Sequence, residues 1–223
     1  MAVFLVLGEA GAGKSTFINY ATGATPAAVG HNLESCTKSV ESFTAQHPTD
    51  PNRRVTLIDT PGFNDTWLED GVTLKTIVDW LSCHKEGTEL TGIIYLHDIK
   101  QPRAENPENP TDLMTPNKLC YPGLVQYIVL TTTKWVEDSK GVGPKNEAEL
   151  TNVHWKTMLR KGSHMARFTN THESAWDVLS VLLQKDPVDG SLIQRELTRV
   201  LEHLPKKPAK GGIRGFFSRL FGG

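Results

Sequence analysis

The apolar run Ala2-Val-Phe-Leu-Val-Leu7 leads straight into Gly8-Glu9-Ala10-Gly11-Ala12-Gly13-Lys14-Ser15. This junction constrains the fold more than any other part of the chain. The run has no polar position, as expected of a parallel strand covered on both faces. The residues after it satisfy GxxxxGK[ST]. In that loop successive backbone N–H groups curl around phosphate oxygens, along a path that a Cβ would obstruct. Lys14 is placed to reach β- and γ-phosphates, and the Ser15 hydroxyl to ligate Mg²⁺, with Thr16 next to it. Residues 14–22 read as a helix whose positive end faces the same anion. A glycine-rich turn that binds nothing is the bland alternative. The strand before the loop and the helix after it argue against that.

The rest of the chain repeats this alternation. Lys38–Gln46 partly alternates and Arg53–Ile58 is apolar at its end, which predicts an antiparallel pair at one side of a sheet. Leu74, Ile77, Val78 and Leu81 fall at helical spacing. Ile93–Leu96 and Val125–Leu130 read as further buried strands, and Met165–Phe168 as a short one. Glu147–Leu159 and the segment carrying Ala175, Val178, Leu179 and Leu182 read as helices. Residues 100–117, rich in Pro, Asn and Glu, read as a long loop. Strands alternating with helices imply right-handed crossovers and a mostly parallel sheet. The fold class is therefore α/β, a three-layer P-loop NTPase with a domain over 1–185. Pro187–Gly190 breaks the pattern, a C-terminal helix is expected within 186–204, and 205–223 is a basic linker with a short tail.

Composition narrows the function. A hydrophobic content of 38% supports one buried core, and a formal net charge of −1 offers no global field for nucleic acid. Cys36, Cys83 and Cys120 are scattered, without a CxxC pair. Neither a disulfide framework nor a zinc site is indicated, and a reducing, cytoplasmic setting is expected.

Three more segments bear on nucleotide chemistry. Asp59-Thr60-Pro61-Gly62 ends a predicted strand. Asp59 is positioned to hold a water on Mg²⁺ and the Gly62 N–H to bond a γ-phosphate. DxxG is weak alone but gains force behind a P-loop in this order. Thr37, with Ser35 as competitor, could complete the Mg²⁺ shell from the preceding loop. Thr131-Thr132-Thr133-Lys134-Trp135 follows a strand where a base-reading [NT]KxD would stand, making Thr133 and Lys134 candidates. The aspartate position is Val136, and Glu137 or Asp138 could replace it only if the loop shifts. A missing acceptor leaves guanine donors unpaired. Trp135 reads more readily as a packed or lid aromatic than as a base stacker. Asn170, in Arg167-Phe-Thr-Asn170, is the candidate for the last base-contacting loop, with an ordinary turn residue as its alternative.

With the P-loop, Ser35–Lys38, Asp59–Phe63, Thr132–Trp135 and Arg167–Asn170 together, residues 1–185 resemble the septin-like and immunity-associated branch of Ras-superfamily P-loop GTPases. His97-Asp98-Ile99, Lys118-Leu119-Cys120 and Ser174–Leu179 are most similar to G-domain proteins of mushroom-forming fungi. The resemblance implies a Ras-like G domain, GTP/GDP and Mg²⁺ as cofactors, two switch loops, and GTP-dependent self-association as a homodimer through the nucleotide face. It also implies GTPase chemistry, but Phe63 stands where the water-orienting glutamine is expected, and an apolar group cannot do that. Hydrolysis at about 10⁻⁴ s⁻¹ or slower is the expectation. A pseudo-GTPase scaffold and an ATP-dependent P-loop protein remain as alternatives.

In the tail, Ile213, Phe216, Phe217, Leu220 and Phe221 share one helical face, with Lys206, Lys207 and Lys210 upstream and no acid after Glu202. Ile213–Phe221 is expected to make weak membrane or protein contact, peripheral at most. Docking onto the protein's own domain is the competing reading.

Overall fold

The structure, a computed structural model, describes residues 2–25, 27, 40–62, 72, 75–80, 82, 89–101, 124–185, 188–189, 192, 195, 198–199 and 202. The expectations for Thr37, Phe63, Lys118–Cys120 and the 205–223 tail lie outside these residues.

The elements follow in the order β1 (Ala2–Gly8), α1 (Lys14–Thr22), β2 (Glu41–Gln46), β3 (Arg54–Asp59), a helical stretch α2 (75–80), β4 (Glu89–Asp98) and β5 (Ile128–Thr133). Then come α3 (Gly143–Glu149), α4 (Lys156–Arg160), β6 (His164–Arg167), α5 (His172–Leu183) and β7 (Val188–Asp189). The strands form one sheet in the order β2-β3-β1-β4-β5-β6, with β7 beside β4. β1 runs parallel to β3 and β4, and β5 parallel to β4 and β6. β2 is antiparallel to β3, with Phe43 opposite Leu57. Strand β1 is therefore central, and the chain crosses to its two sides in turn. The crevice at its carboxyl end is where an open α/β sheet takes a ligand.

Each sheet face has its own core, because β residues alternate between faces. Phe17, Ile18 and Ala21 of α1 and Ala175, Val178, Leu179 and Leu182 of α5 cover Phe4, Val6, Leu57 and Leu96. On the other face Ile77, Val78, Leu150, Trp155 and Met158 cover Leu5, Leu7, Ile93, Tyr95 and Leu130. This is a three-layer α/β fold. β4 passes under α5 at Gly92, where a Cβ would lie 2.4 Å from Leu182 Cδ1 and 2.6 Å from the Tyr127 carbonyl oxygen.

Several local readings change. The strand expected at 125–130 starts three residues later, because Val125–Tyr127 forms a 3₁₀ turn. Two of its carbonyls accept from side chains: Ser163 Oγ donates to the Val125 oxygen at 2.7 Å and Lys185 Nζ to the Gln126 oxygen at 2.5 Å. β5 gains the three buried threonines 131–133 in exchange. The helix expected over 147–159 is broken. A π turn spans Leu150–His154, closed by Trp155 N–H donating to the Leu150 oxygen at 2.7 Å. The wider turn brings Leu150 and Trp155, five apart, onto one core face, which a continuous α-helix would not do. Val188–Asp189, read as a break, pairs antiparallel with Glu89–Leu90. Leu192, in helical conformation beyond it, packs against the same core as Trp155.

Trp155→Ala is expected to lower stability by about 3–5 kcal/mol, through lost burial and the cavity left behind. A urea titration reads this as a lower midpoint at unchanged slope. A loss under about 1 kcal/mol would mean that the surroundings collapse into the space.

Candidate nucleotide site

The loop between β1 and α1 owes its course to glycine. Gly8 has φ +151°, and a Cβ there would lie 2.5 Å from the Leu96 carbonyl oxygen of β4. Gly13, at φ 95°, caps α1 in the left-handed region, and the Phe17 N–H donates to its oxygen at 2.8 Å. The Ala12 N–H donates to the Glu9 oxygen at 3.1 Å, which tightens the loop. Lys14 is buried, and its Nζ donates to the Gly8 oxygen at 3.1 Å and to the Glu9 oxygen at 2.9 Å. Burial pushes its ammonium down to about 8, while the charges of Asp59 and Glu9 pull it up. A buried cation over a glycine loop at a helix N-terminus suits a polyphosphate.

The metal side comes from two elements. Ser15 Oγ, in the first turn of α1, donates to Asp59 Oδ2 at the end of β3 at 3.0 Å. Asp59 is 2% exposed. A hydroxyl and a buried carboxylate side by side at the phosphate end of the crevice suit Mg²⁺, a hard cation held by oxygen. Thr16 occupies the same first turn of α1. Thr60 Oγ1 donates to the Val6 oxygen at 2.7 Å, pinning the exit of β3 to β1. Gly62 then lies directly on the phosphate loop, for a Cβ there would be 2.7 Å from Ala10 Cα. Gly8 through Ser15, Asp59 and Gly62 are thus brought together at one end of the sheet.

The base side is built from the exits of β4, β5 and β6. Thr133 is 1% exposed, and its hydroxyl donates to the Ala12 oxygen at 2.8 Å, so it ties the β5 exit to the phosphate loop. Lys134 has φ 60°, and its Nζ lies 2.8 Å from Asp98 Oδ2 at the end of β4. Trp135 donates its indole N–H to Thr132 Oγ1 at 3.0 Å, and the Arg167 guanidinium lies 4.2 Å from its ring centroid. It is a packed aromatic of the domain itself. Asn170, at φ 57°, sits just before the capping box in which Thr171 and Ser174 start α5. Asp138 accepts from the Val142 and Gly143 N–H groups at 3.0 and 2.7 Å and so caps α3. Glu137 pairs with Lys100 at 2.5 Å.

Sequence reasoning gave Asp98 no role beyond the His97-Asp98-Ile99 resemblance and did not single out Lys100 or Asn19. Asp98 ends a buried parallel strand, and a carboxylate at that end faces the ligand side of such a sheet. That signal was available. Asn19 was invisible: its amide donates to the Ala27 oxygen at 3.0 Å and accepts from the Ala27 N–H at 2.9 Å, holding the start of the loop after α1.

Because Lys14 titrates near 8 in the folded protein and at 10.5 when unperturbed, the unfolded chain binds more protons between those values. Stability without ligand therefore rises with pH across that window. A bound polyphosphate holds the proton on, so nucleotide affinity is expected to fall as pH rises through about 8. Calorimetry at about pH 9 in buffers of different ionisation enthalpy should show proton uptake on binding. Binding without uptake would place the ammonium away from the phosphates.

A family model described as 50S ribosome-binding GTPase matches residues 3–115, just over half of the chain. No curated protein matches it. Among solved structures, a dimerization-deficient mutant of Toc33 from Arabidopsis thaliana is 14% identical with a TM-score of 0.57, covering 90% of this chain and 84% of that one. Toc33 in complex with Mg²⁺ and GMPPNP is 15% identical with a TM-score of 0.51, covering 91% and 85%. Era from Aquifex aeolicus bound to GDP and AlF4⁻ is 16% identical with a TM-score of 0.52, covering 92% of this chain but 57% of Era. At such identities the likeness shows the fold, a Ras-like G domain. Since the family model spans the phosphate loop, the Asp59–Gly62 segment and β4, the chain belongs to the GTPase family so described and is a GTP-binding switch protein.

Proposed function

We propose that the protein binds GTP and GDP with Mg²⁺ and hydrolyses GTP slowly, acting through its bound state more than through turnover. The observation that carries this is the Ser15–Asp59 contact at 3.0 Å beside a buried Lys14 in a glycine-shaped loop. In this reading the backbone of Gly8–Gly13 and Lys14 hold the phosphates. Ser15 and Asp59, with Thr37 from the following loop, are the residues that would hold the metal. When bound, the metal would supply neutralisation of the phosphate charge. Thr133 acts on the nucleotide through the phosphate loop, Lys134 by its stem, and Asn170 at the base edge. Phe63 offers no group to orient water, which supports slow turnover.

Self-association through the nucleotide face is part of the same proposal, and the Toc33 structures, one of them described as concerning the role of dimerization in GTPase activity, make it a natural test. The narrower placement in the septin-like, fungal branch rests on sequence segments such as Ser174–Leu179. A cytoplasmic location with weak peripheral contact through Ile213–Phe221 likewise rests on composition and on the apolar stripe of the tail.

Titration with labelled GTP is expected to give Mg²⁺-dependent binding that Lys14→Ala weakens by about 100-fold, the scale of a lost charged hydrogen bond. No binding by the wild type would favour the scaffold reading. Single-turnover hydrolysis is expected at about 10⁻⁴ s⁻¹. Turnover on the scale of seconds without a partner would overturn the slow-switch reading.

A further inference from the structure

We propose that the base end of this site reads purine shape rather than the guanine edge, so that GTP is only weakly preferred over ITP and ATP. The inference rests on the nucleotide reading above. Guanine presents its N1–H and 2-amino group as adjacent donors, and strong selection needs a carboxylate facing both. Two residues beyond Lys134 the chain has Val136, which is 72% exposed and carries no acceptor.

The neighbouring carboxylates are committed elsewhere. Asp138 spends both oxygens on the Val142 and Gly143 N–H groups. Asp98 places Oδ2 on Lys134 Nζ at 2.8 Å and accepts the Lys100 N–H on Oδ1 at 2.9 Å. Glu137 holds Lys100 Nζ. The loop is also held against a shift. The Ile99 N–H donates to the Thr133 oxygen at 3.2 Å, and Asn146 Nδ2 donates to the Ile99 oxygen at 2.8 Å. Moving Asp138 inward would uncap α3, and moving Asp98 inward would strip a buried carboxylate of its cation. Glu137 is the least constrained of the three, because its pair with Lys100 is solvent-exposed and such pairs contribute little. Affinity then resides in the phosphates, in stacking on the Lys134 stem and in Asn170, whose amide both donates and accepts, so that any purine satisfies them.

The full-length protein is tested with Mg²⁺ by competing GTP, ITP (which lacks the 2-amino group) and ATP against a fluorescent GDP. GTP and ITP are expected within about threefold of each other, and ATP within about tenfold. Val136→Asp, at an exposed position that tolerates charge, is expected to raise GTP over ITP by about 10- to 100-fold. Glu137→Ala is expected to leave the wild-type ratio unchanged. A wild-type preference for GTP over ITP of about 100-fold or more would overturn the inference while leaving the nucleotide reading intact. So would a drop in that ratio in Glu137→Ala, or an unchanged ratio in Val136→Asp. Failure of every nucleotide to bind would remove both readings.

Discussion

The arrangement of the whole ligand end depends on how closely β1 and β4 approach at Gly8. The backbone leaves the sheet there at φ +151°, with the Leu96 carbonyl occupying the place of a side chain. From that point the loop closes over Lys14, and α1 begins on Gly13 with its dipole aimed back into the curve. Other contacts then lock on from the flanking strands. Thr60 reaches the Val6 oxygen from β3, and Thr133 reaches the Ala12 oxygen from β5. A bulkier residue at Gly8 would have to move a strand, not a side chain, because the two nearest atoms are backbone of Leu96.

The two sides of the loop differ in character. On the metal side, Ser15 meets a buried carboxylate, and Gly62 lies on Ala10 with no room for a side chain. On the base side the exits of β4 and β5 are joined through Asp98, Lys134, Lys100 and Glu137, with α3 attached through Asn146 and Asp138. On the metal side Asn19 holds the start of the loop after α1 at Ala27.

Much of this was legible in the sequence where chemistry and periodicity coincide. The run 2–7, the loop at 8–15 and Asp59–Gly62 each carry their meaning in adjacent residues, since a glycine path, a helix start and a strand end are local properties. The antiparallel β2–β3 pair and the α5 face were visible for the same reason. The start of β5, the π turn before Trp155 and the pairing of Val188–Asp189 were not. In each of these, partners distant in sequence decide where backbone groups go: Ser163 and Lys185 for 125–127, the sheet face for Trp155, and Glu89–Leu90 for β7.

The sequence by itself determined that the chain builds an α/β phosphate-binding domain, because a GxxxxGK[ST] loop needs only its own glycines and lysine to state its chemistry. It also showed that the base-reading aspartate is replaced by Val136. Only the tertiary structure showed which partners the neighbouring carboxylates have. Whether Glu137 or Asp138 could serve instead depended on what else lay within reach of each. Lys100 and the N-terminus of α3 engage them, and Asp98, from another strand, holds Lys134. Those pairings join segments far apart in the chain, and distance in space is not written in residue order.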